Sequence, residues 1–219
     1  MHNTVKNIIE IENSIKVYLN KLNVINTPKI IAVSKTFKID KISPLIDHGH
    51  IDYGENKVQE ALDKWTDIKK EIPSIRLHMI GKLQTNKVKF AVKIFDYIHS
   101  VDSEKLAKKI ADEQKKQNKK IKIFLQVNIG DENQKSGVNK NQLNRLVSYC
   151  KEIDLDIIGL MCIPPVNLDS EVYFEEMKKL NKDQGFTELS MGMSSDFLLA
   201  AKNFSTYLRI GSSIFGQRF

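Results

Sequence analysis

Short apolar runs alternate with amphipathic stretches eight times along this chain, and few architectures accommodate that rhythm. The runs lie at 29–35, 51–56, 75–81, 94–100, 121–129, 156–162, 187–193 and 206–212, each only long enough for a strand. Helical spacing marks most of the intervals. Stretches near 39–48 and 83–92 are helical, and Val58, Ala61, Leu62, Trp65 and Ile68 share one face. Asp102 or Ser103 is placed to cap a helix carrying Leu106, Ala107 and Ile110. Further faces are Leu143, Leu146, Val147 and Cys150, then Val172, Met177 and Leu180, then Phe197, Leu198 and Ala201. Ahead of the first strand, Ile8, Ile11, Ile15, Tyr18 and Leu22 form an extra helical stripe over 5–22. Strands alternating with helices make parallel βαβ units. Eight units predict a (β/α)8 barrel of the TIM type with an additional N-terminal helix, and 219 residues suit it as a single domain over 1–219. A doubly wound open sheet is the alternative, but no G-x-G-x-x-G follows any strand.

Composition excludes several classes. A hydrophobic content of 41% with 10 Gly and 5 Pro fills a core and does not describe a disordered chain. The longest nearly apolar run, "IIGLMCIPPV" at 157–166, is far short of a membrane span. Glu10 and Glu12 interrupt the apolar positions of the N-terminus, so no secretion signal is read there and a cytoplasmic protein is expected. Cys150 and Cys162 stand at no metal or redox spacing and read as small buried hydrophobes in a reducing compartment. The net charge of +7 comes largely from lysine doublets such as Lys108-Lys109 and Lys115-Lys116 in helical stretches. Without a recognisable RNA or DNA module these read as solvated helix surface, so no nucleic-acid partner and no membrane partner is expected. A positive balance also attracts small anions.

Barrels present their chemistry at the C-terminal ends of their strands. Here those ends carry Lys35, then Gly54-Glu55-Asn56, then His78 to Gly81, Asn128, Met161, Met191 to Ser195 and Arg209 to Ser213. The last two are the most informative. "SMGMSSD" at 190–196 and "RIGSSIFG" at 209–216 set Gly and Ser just before helical turns, where backbone N–H groups approach an oxyanion. Either alone reads equally well as an ordinary turn or a phosphate loop; as a pair after strands seven and eight they suggest a phosphate site. A lysine across the barrel mouth from a phosphate suits pyridoxal 5′-phosphate, which needs an amine for its aldehyde and a charged residue near its ring nitrogen. Arg209 is placed for the second role and, always protonated, would leave that nitrogen unprotonated. Taken alone, Lys35 reads as a surface lysine past a strand end and Arg209 as a structural ion pair.

The stretches "AVSKTFK", "GENKVQE", "LHMIGKLQTNK", "GLM", "LSMGMSSDF" and "LRIGSSIFGQR" resemble the pyridoxal 5′-phosphate homeostasis proteins, with the match spread from residue 30 to residue 218. That family is a barrel similar to the N-terminal domain of alanine racemase, and no firm catalytic activity is assigned to it. The resemblance implies that Lys35 is the Schiff-base lysine and that Asn56 lies beside the cofactor. It implies that Ser194 and Ser195 bind phosphate with Met191 packing close by, that Gly211 and Ser212 add phosphate donors, and that Arg209 faces the ring nitrogen. Three departures stand out: Leu77 where the family usually has Trp, Ser212 where many members have Thr, and Phe37 where many carry a second lysine, Lys38 being one residue away.

The expected function is therefore to hold pyridoxal 5′-phosphate on Lys35 and serve vitamin B6 homeostasis and delivery, without established catalysis. PLP-dependent apo-enzymes and free amino acids are the expected recipients, and a monomer is expected. Lys135, after the fifth strand, is either a solvated loop lysine or a way-station for the aldehyde. A weak amino-acid racemase or lyase is the alternative. Racemisation needs a second base; the tyrosines show no sequence sign of that role, and His78, amid Leu77, Met79 and Ile80, reads as a hydrogen-bonded core residue. An RNA-binding module is a third class, which steep salt dependence would reveal.

Overall fold

A computed structural model describes residues 1–132, 134–166 and 168–217. Eight parallel strands close into a barrel in sequence order, with β8 paired back to β1. The first half runs α1 (Asn3–Lys21), β1 (Lys29–Val33), α2 (Ile39–Asp47), β2 (Asp52–Glu55), α3 (Val58–Glu71), β3 (Arg76–Met79), α4 (Val88–Ile94) and β4 (Tyr97–Val101). The second half runs α5 (Glu104–Gln117), β5 (Lys122–Val127), α6 (Leu143–Glu152), β6 (Ile157–Cys162), α7 (Ser170–Asp183), β7 (Glu188–Ser190), α8 (Phe197–Lys202), β8 (Tyr207–Ile210) and α9 (Ser212–Phe215). Short 3-10 turns at Thr85–Lys87 and Lys140–Gln142 lead into α4 and α6. The predicted barrel and N-terminal helix are both present. No helix among the described residues is long and apolar enough to cross a membrane.

The strand period of two sorts residues between two cores. Ile30 and Ala32, Ile98, Leu125, Leu208 and Ile210 face outward and pack with the helices. Their neighbours Ile31, Tyr97, Phe124, Met161 and Tyr207 fill the lumen. α1 lays Ile8, Ile11, Ile15 and Leu19 inward and packs on α2, α8 and α9. Cys150 and Cys162 are both free and buried, and burial pushes each thiol up to about 12, so neither ionises near neutral pH.

Several boundaries differ from the sequence reading. Most strands stop short at their C-terminal ends: β1 at Val33, β2 at Glu55, β3 at Met79, β5 at Val127, β7 at Ser190 and β8 at Ile210. The residues beyond leave the ladder as loops over the barrel mouth. β4 begins at Tyr97 because α4 runs on through the buried Ile94. On α7 the buried face is Phe174, Met177 and Asn181, and Val172 is exposed. Asn181 is inward because its side chain works for the backbone: Oδ1 accepts from Leu160 N–H at 3.0 Å and Nδ2 donates to Phe186 O at 3.0 Å. Leu22 follows the end of α1 and is exposed.

Candidate functional site

Alternation in β1 turns Ile31 and Val33 inward, and Lys35 continues that series past the end of the ladder. This places it on a cavity of about 600 Å³ at the barrel mouth, of a size that suits a small-molecule ligand. Asn56, Ser194, Ser195, Arg209, Gly211 and Ser212 line the same cavity. Seven of the eight residues singled out from sequence thus converge. Met191 is the eighth and lies fully buried among the helices' contacts. Ser190 before it faces the lumen, so Met191 turns outward, and Met193 lines the cavity instead. Val33, Ile80 and Ile163 supply apolar wall, and none of the described lining residues is a carboxylate.

The loops after β7 and β8 are built for close approach. Gly192 has φ of +90°, and a Cβ there would stand 2.4 Å from Ala200 Cβ, so only glycine makes this turn. Ser213 N–H donates to Ser194 Oγ at 3.3 Å, tying the two loops together. At the second strand end, a Cβ on Gly81 would meet Asn56 O at 2.4 Å, so the loops after β2 and β3 touch backbone to backbone.

Arg209 is almost fully buried, and no described carboxylate lies within ion-pair distance of it. It is in the lumen because Leu208 and Ile210 on either side face the helices. Its Nη2 donates to Cys162 O at 2.8 Å and its Nη1 to Ser190 Oγ at 2.7 Å. From Ser190 a chain descends through the barrel: Ser190 Oγ to His99 Nδ1 at 2.9 Å, His99 Nε2 to His78 Nδ1 at 3.0 Å, and His78 Nε2 to Asp52 Oδ1 at 2.9 Å. Arg76 closes the far end, with Nη2 at 2.5 Å from Asp52 Oδ2. His78 stacks on Tyr97 at 4.3 Å and His99 on Phe124 at 4.2 Å. His78 is the hydrogen-bonded core residue its apolar neighbours suggested.

The chain has one direction. Burial disfavours a charged Asp52, but the hydrogen bonds from His78 and Arg76 and the charge of Arg76 outweigh it and hold the carboxyl below its usual range. An ionised carboxylate only accepts, so His78 donates through Nε2. Burial pushes both histidines down, which favours their neutral forms, His99 well down with the Arg209 charge adding to burial. His78 Nδ1 therefore accepts from His99 Nε2–H, and His99 Nδ1 accepts from the Ser190 hydroxyl. Ser190 in turn accepts from Arg209.

This arrangement sets a pH dependence of stability. The folded values of His78 and His99 lie below the ordinary 6.5, so below that pH the unfolded chain binds protons that the fold refuses. Stability contributed above 6.5 is lost as pH falls through and below it. The urea midpoint is expected to drop steadily from about pH 7 to about pH 5; a flat profile would contradict neutral buried imidazoles.

Lys135 sits away from the cavity lining. Its Nζ pairs with Glu132 Oε2 at 2.5 Å and donates to Pro164 O at 3.2 Å. Phe37, in place of a second lysine, packs on Phe215 with ring centroids 5.0 Å apart, and Lys38 is exposed at the start of α2. Sequence reasoning missed Asp52, His99 and Ser190. The signal was parity: His99 shares the face of Tyr97, and Ser190 precedes the glycine-serine loop.

Residues 10–218 match the family described as alanine racemase, N-terminal domain. The chain is 36% identical over 203 residues to the pyridoxal phosphate homeostasis protein of Aquifex aeolicus, covering 88% of each chain. It is 33% identical over 199 residues to the Escherichia coli K12 protein of that name, covering 86% of this chain and 85% of that one. Among solved structures, PipY of Synechococcus elongatus without PLP superposes with a TM-score of 0.82 at 32% identity, covering 92% of this chain and 100% of that one. PipY with PLP bound gives a TM-score of 0.76 at the same 32% identity and the same coverage of 92% and 100%. A closed parallel barrel, a polar cavity at the C-terminal ends of its strands and these likenesses along nearly its whole length agree: the chain belongs to the alanine racemase N-terminal domain family and, within it, to the pyridoxal phosphate homeostasis proteins.

Proposed function

We propose that this protein binds pyridoxal 5′-phosphate in the cavity at the barrel mouth, holds it through Lys35, and serves vitamin B6 homeostasis in the cytoplasm by releasing it to amines and apo-enzymes. The observation that carries this reading is the donor set. One amine, one guanidinium, two amides (Asn56 and Gln217) and three hydroxyls line a cavity with apolar walls and no described carboxylate. That chemistry fits a small, flat, anionic aldehyde. The Synechococcus relative solved with PLP bound supports the same ligand.

The roles follow from position. Lys35 supplies the nucleophilic amine for the aldehyde. Ser194, Ser195, Gly211 and Ser212 supply donors to the phosphate from the loops that Ser213 N–H and Ser194 Oγ tie together. Asn56 borders the ring, and Met193, not Met191, lines the cavity beside it. Arg209, fixed by Ser190 and Cys162 O, donates to the ring nitrogen and keeps it unprotonated. When bound, pyridoxal phosphate supplies an aldehyde that exchanges between amines and a ring that withdraws electrons. Arg209 weakens the second property and leaves the first intact, which suits holding and release over carbanion chemistry. No tyrosine or histidine is among the described lining residues to act as a second base, which favours a carrier over a racemase.

The test is an absorption spectrum of the purified protein incubated with pyridoxal 5′-phosphate, followed by borohydride and peptide mapping. The expected result is a shifted, borohydride-fixed chromophore on the peptide carrying Lys35. A chromophore on another lysine, or none, would end the proposal.

A further inference from the structure

The residues on both sides of Lys35 are held, Ser34 directly and Thr36 through Glu60, by one nearly buried side chain from the neighbouring helix. Lys64 on α3 has only 9% of its side chain exposed. Its Nζ donates to Ser34 O at 2.9 Å, to Glu55 Oε1 at 2.9 Å and to Glu60 Oε1 at 3.0 Å. Glu55, with no exposed side-chain surface, also accepts from Ser34 Oγ at 2.7 Å and from Trp65 Nε1 at 3.0 Å. Glu60 accepts the N–H of Thr36. Ser34 is thus gripped by carbonyl and hydroxyl, and Thr36 by its amide. Between them lies Lys35.

The grip has something to oppose. Thr36 has φ of +69°, the left-handed region that a β-branched residue rarely enters. Such a conformation persists only where its surroundings over-determine it. Glu60 at the Thr36 amide and Lys64 at the Ser34 carbonyl supply that constraint. Without them the turn would relax toward negative φ and swing the Lys35 backbone off the line set by Ile31 and Val33. Two carboxylates offset the charge of Lys64, so its effect is geometric.

We propose that Lys64 is a positioning residue for Lys35: through Glu55 and Glu60 it fixes the Ser34–Thr36 turn and so presents the Lys35 amine to an aldehyde-bearing ligand. This rests on the reading of Lys35 as the aldehyde-binding amine. The distinguishing probe is a pair of ligands, pyridoxal 5′-phosphate and pyridoxine 5′-phosphate. The second has the same ring and phosphate but an alcohol in place of the aldehyde, so it reports the rest of the cavity alone.

Titrations of the full chain with both ligands give the ratio of affinities. A borohydride-fixed adduct in the unaltered protein is checked first, and its absence there would end the underlying reading before Lys64 is tested. With that adduct present, Lys64→Met is expected to bind pyridoxal 5′-phosphate on the order of 10- to 100-fold more weakly while pyridoxine 5′-phosphate binds as before. Glu60→Ala, at a partly exposed position, is expected to show the same selective loss at smaller size and decides the question if Lys64→Met does not fold. Equal losses for both ligands would make Lys64 a general support of the barrel and overturn the proposal. So would unchanged binding of the aldehyde in either folded variant.

Discussion

Lys35→Ala is expected to abolish covalent capture of pyridoxal 5′-phosphate completely and to leave weaker, reversible binding of its phosphate. The amine is the group that bonds an aldehyde, whereas the donors of Ser194, Ser195, Gly211 and Ser212 stay where their loops put them. The bonds that fix the turn are carried by its neighbours, Ser34 and Thr36, which reach Glu55, Lys64 and Glu60 and are untouched by the substitution. The variant should therefore fold, show no borohydride-fixed chromophore, and still be protected from heat by pyridoxine 5′-phosphate. Lys38→Ala and Lys135→Ala serve as controls, because Lys38 is exposed on α2 and Lys135 is engaged by Glu132 and Pro164 O. Both are expected to retain the chromophore. A fixed adduct surviving in Lys35→Ala would transfer the aldehyde to another amine.

Asp52→Ala is expected to lower stability by about 3 kcal/mol, at the lower end of the cost of breaking a buried charged pair. It leaves the Nε2–H of His78 without its acceptor in a position with no exposed side-chain surface. It also strips Arg76 of its partner, but that side chain is 33% exposed and rehydrates, which keeps the cost from the top of the range. Asp52→Asn, which retains an acceptor oxygen, should cost less. Urea denaturation of the three proteins at neutral pH checks the order. A loss below about 1 kcal/mol for Asp52→Ala would mean that the luminal chain is not anchored at Asp52.

The barrel was legible because period two and period 3.6 alternate cleanly, and each strand buries both faces. The strand ends were less so: Ser34, Asn56 and Gly211 look like continuations of apolar runs, yet their backbones leave the ladder to form the mouth. Val172 misled because composition does not say which side of a helix faces inward; the spacing of Phe174, Met177 and Asn181 does, with a polar residue among them. In the site, Lys35, Asn56, Arg209 and the glycine-serine loops stood at readable positions. Met191 follows the inward-facing Ser190 and so turns outward by simple alternation; the left-handed turn at Gly192 then breaks the period and brings Met193 to the cavity instead. The grip of Lys64 on Glu55 joins a helix to a strand nine residues earlier, and no local period announces such a contact.

The luminal chain from Arg209 to Asp52 also separates the two ends of the barrel electrically. A proton travelling from the mouth would have to begin by leaving a guanidinium, which does not let go of one near neutrality. One travelling up from the floor would find every hydrogen already aimed against it, and both imidazoles pinned against aromatic rings that block their rotation. Along this chain, acid or base arriving beneath the barrel therefore finds no ready path to the pocket.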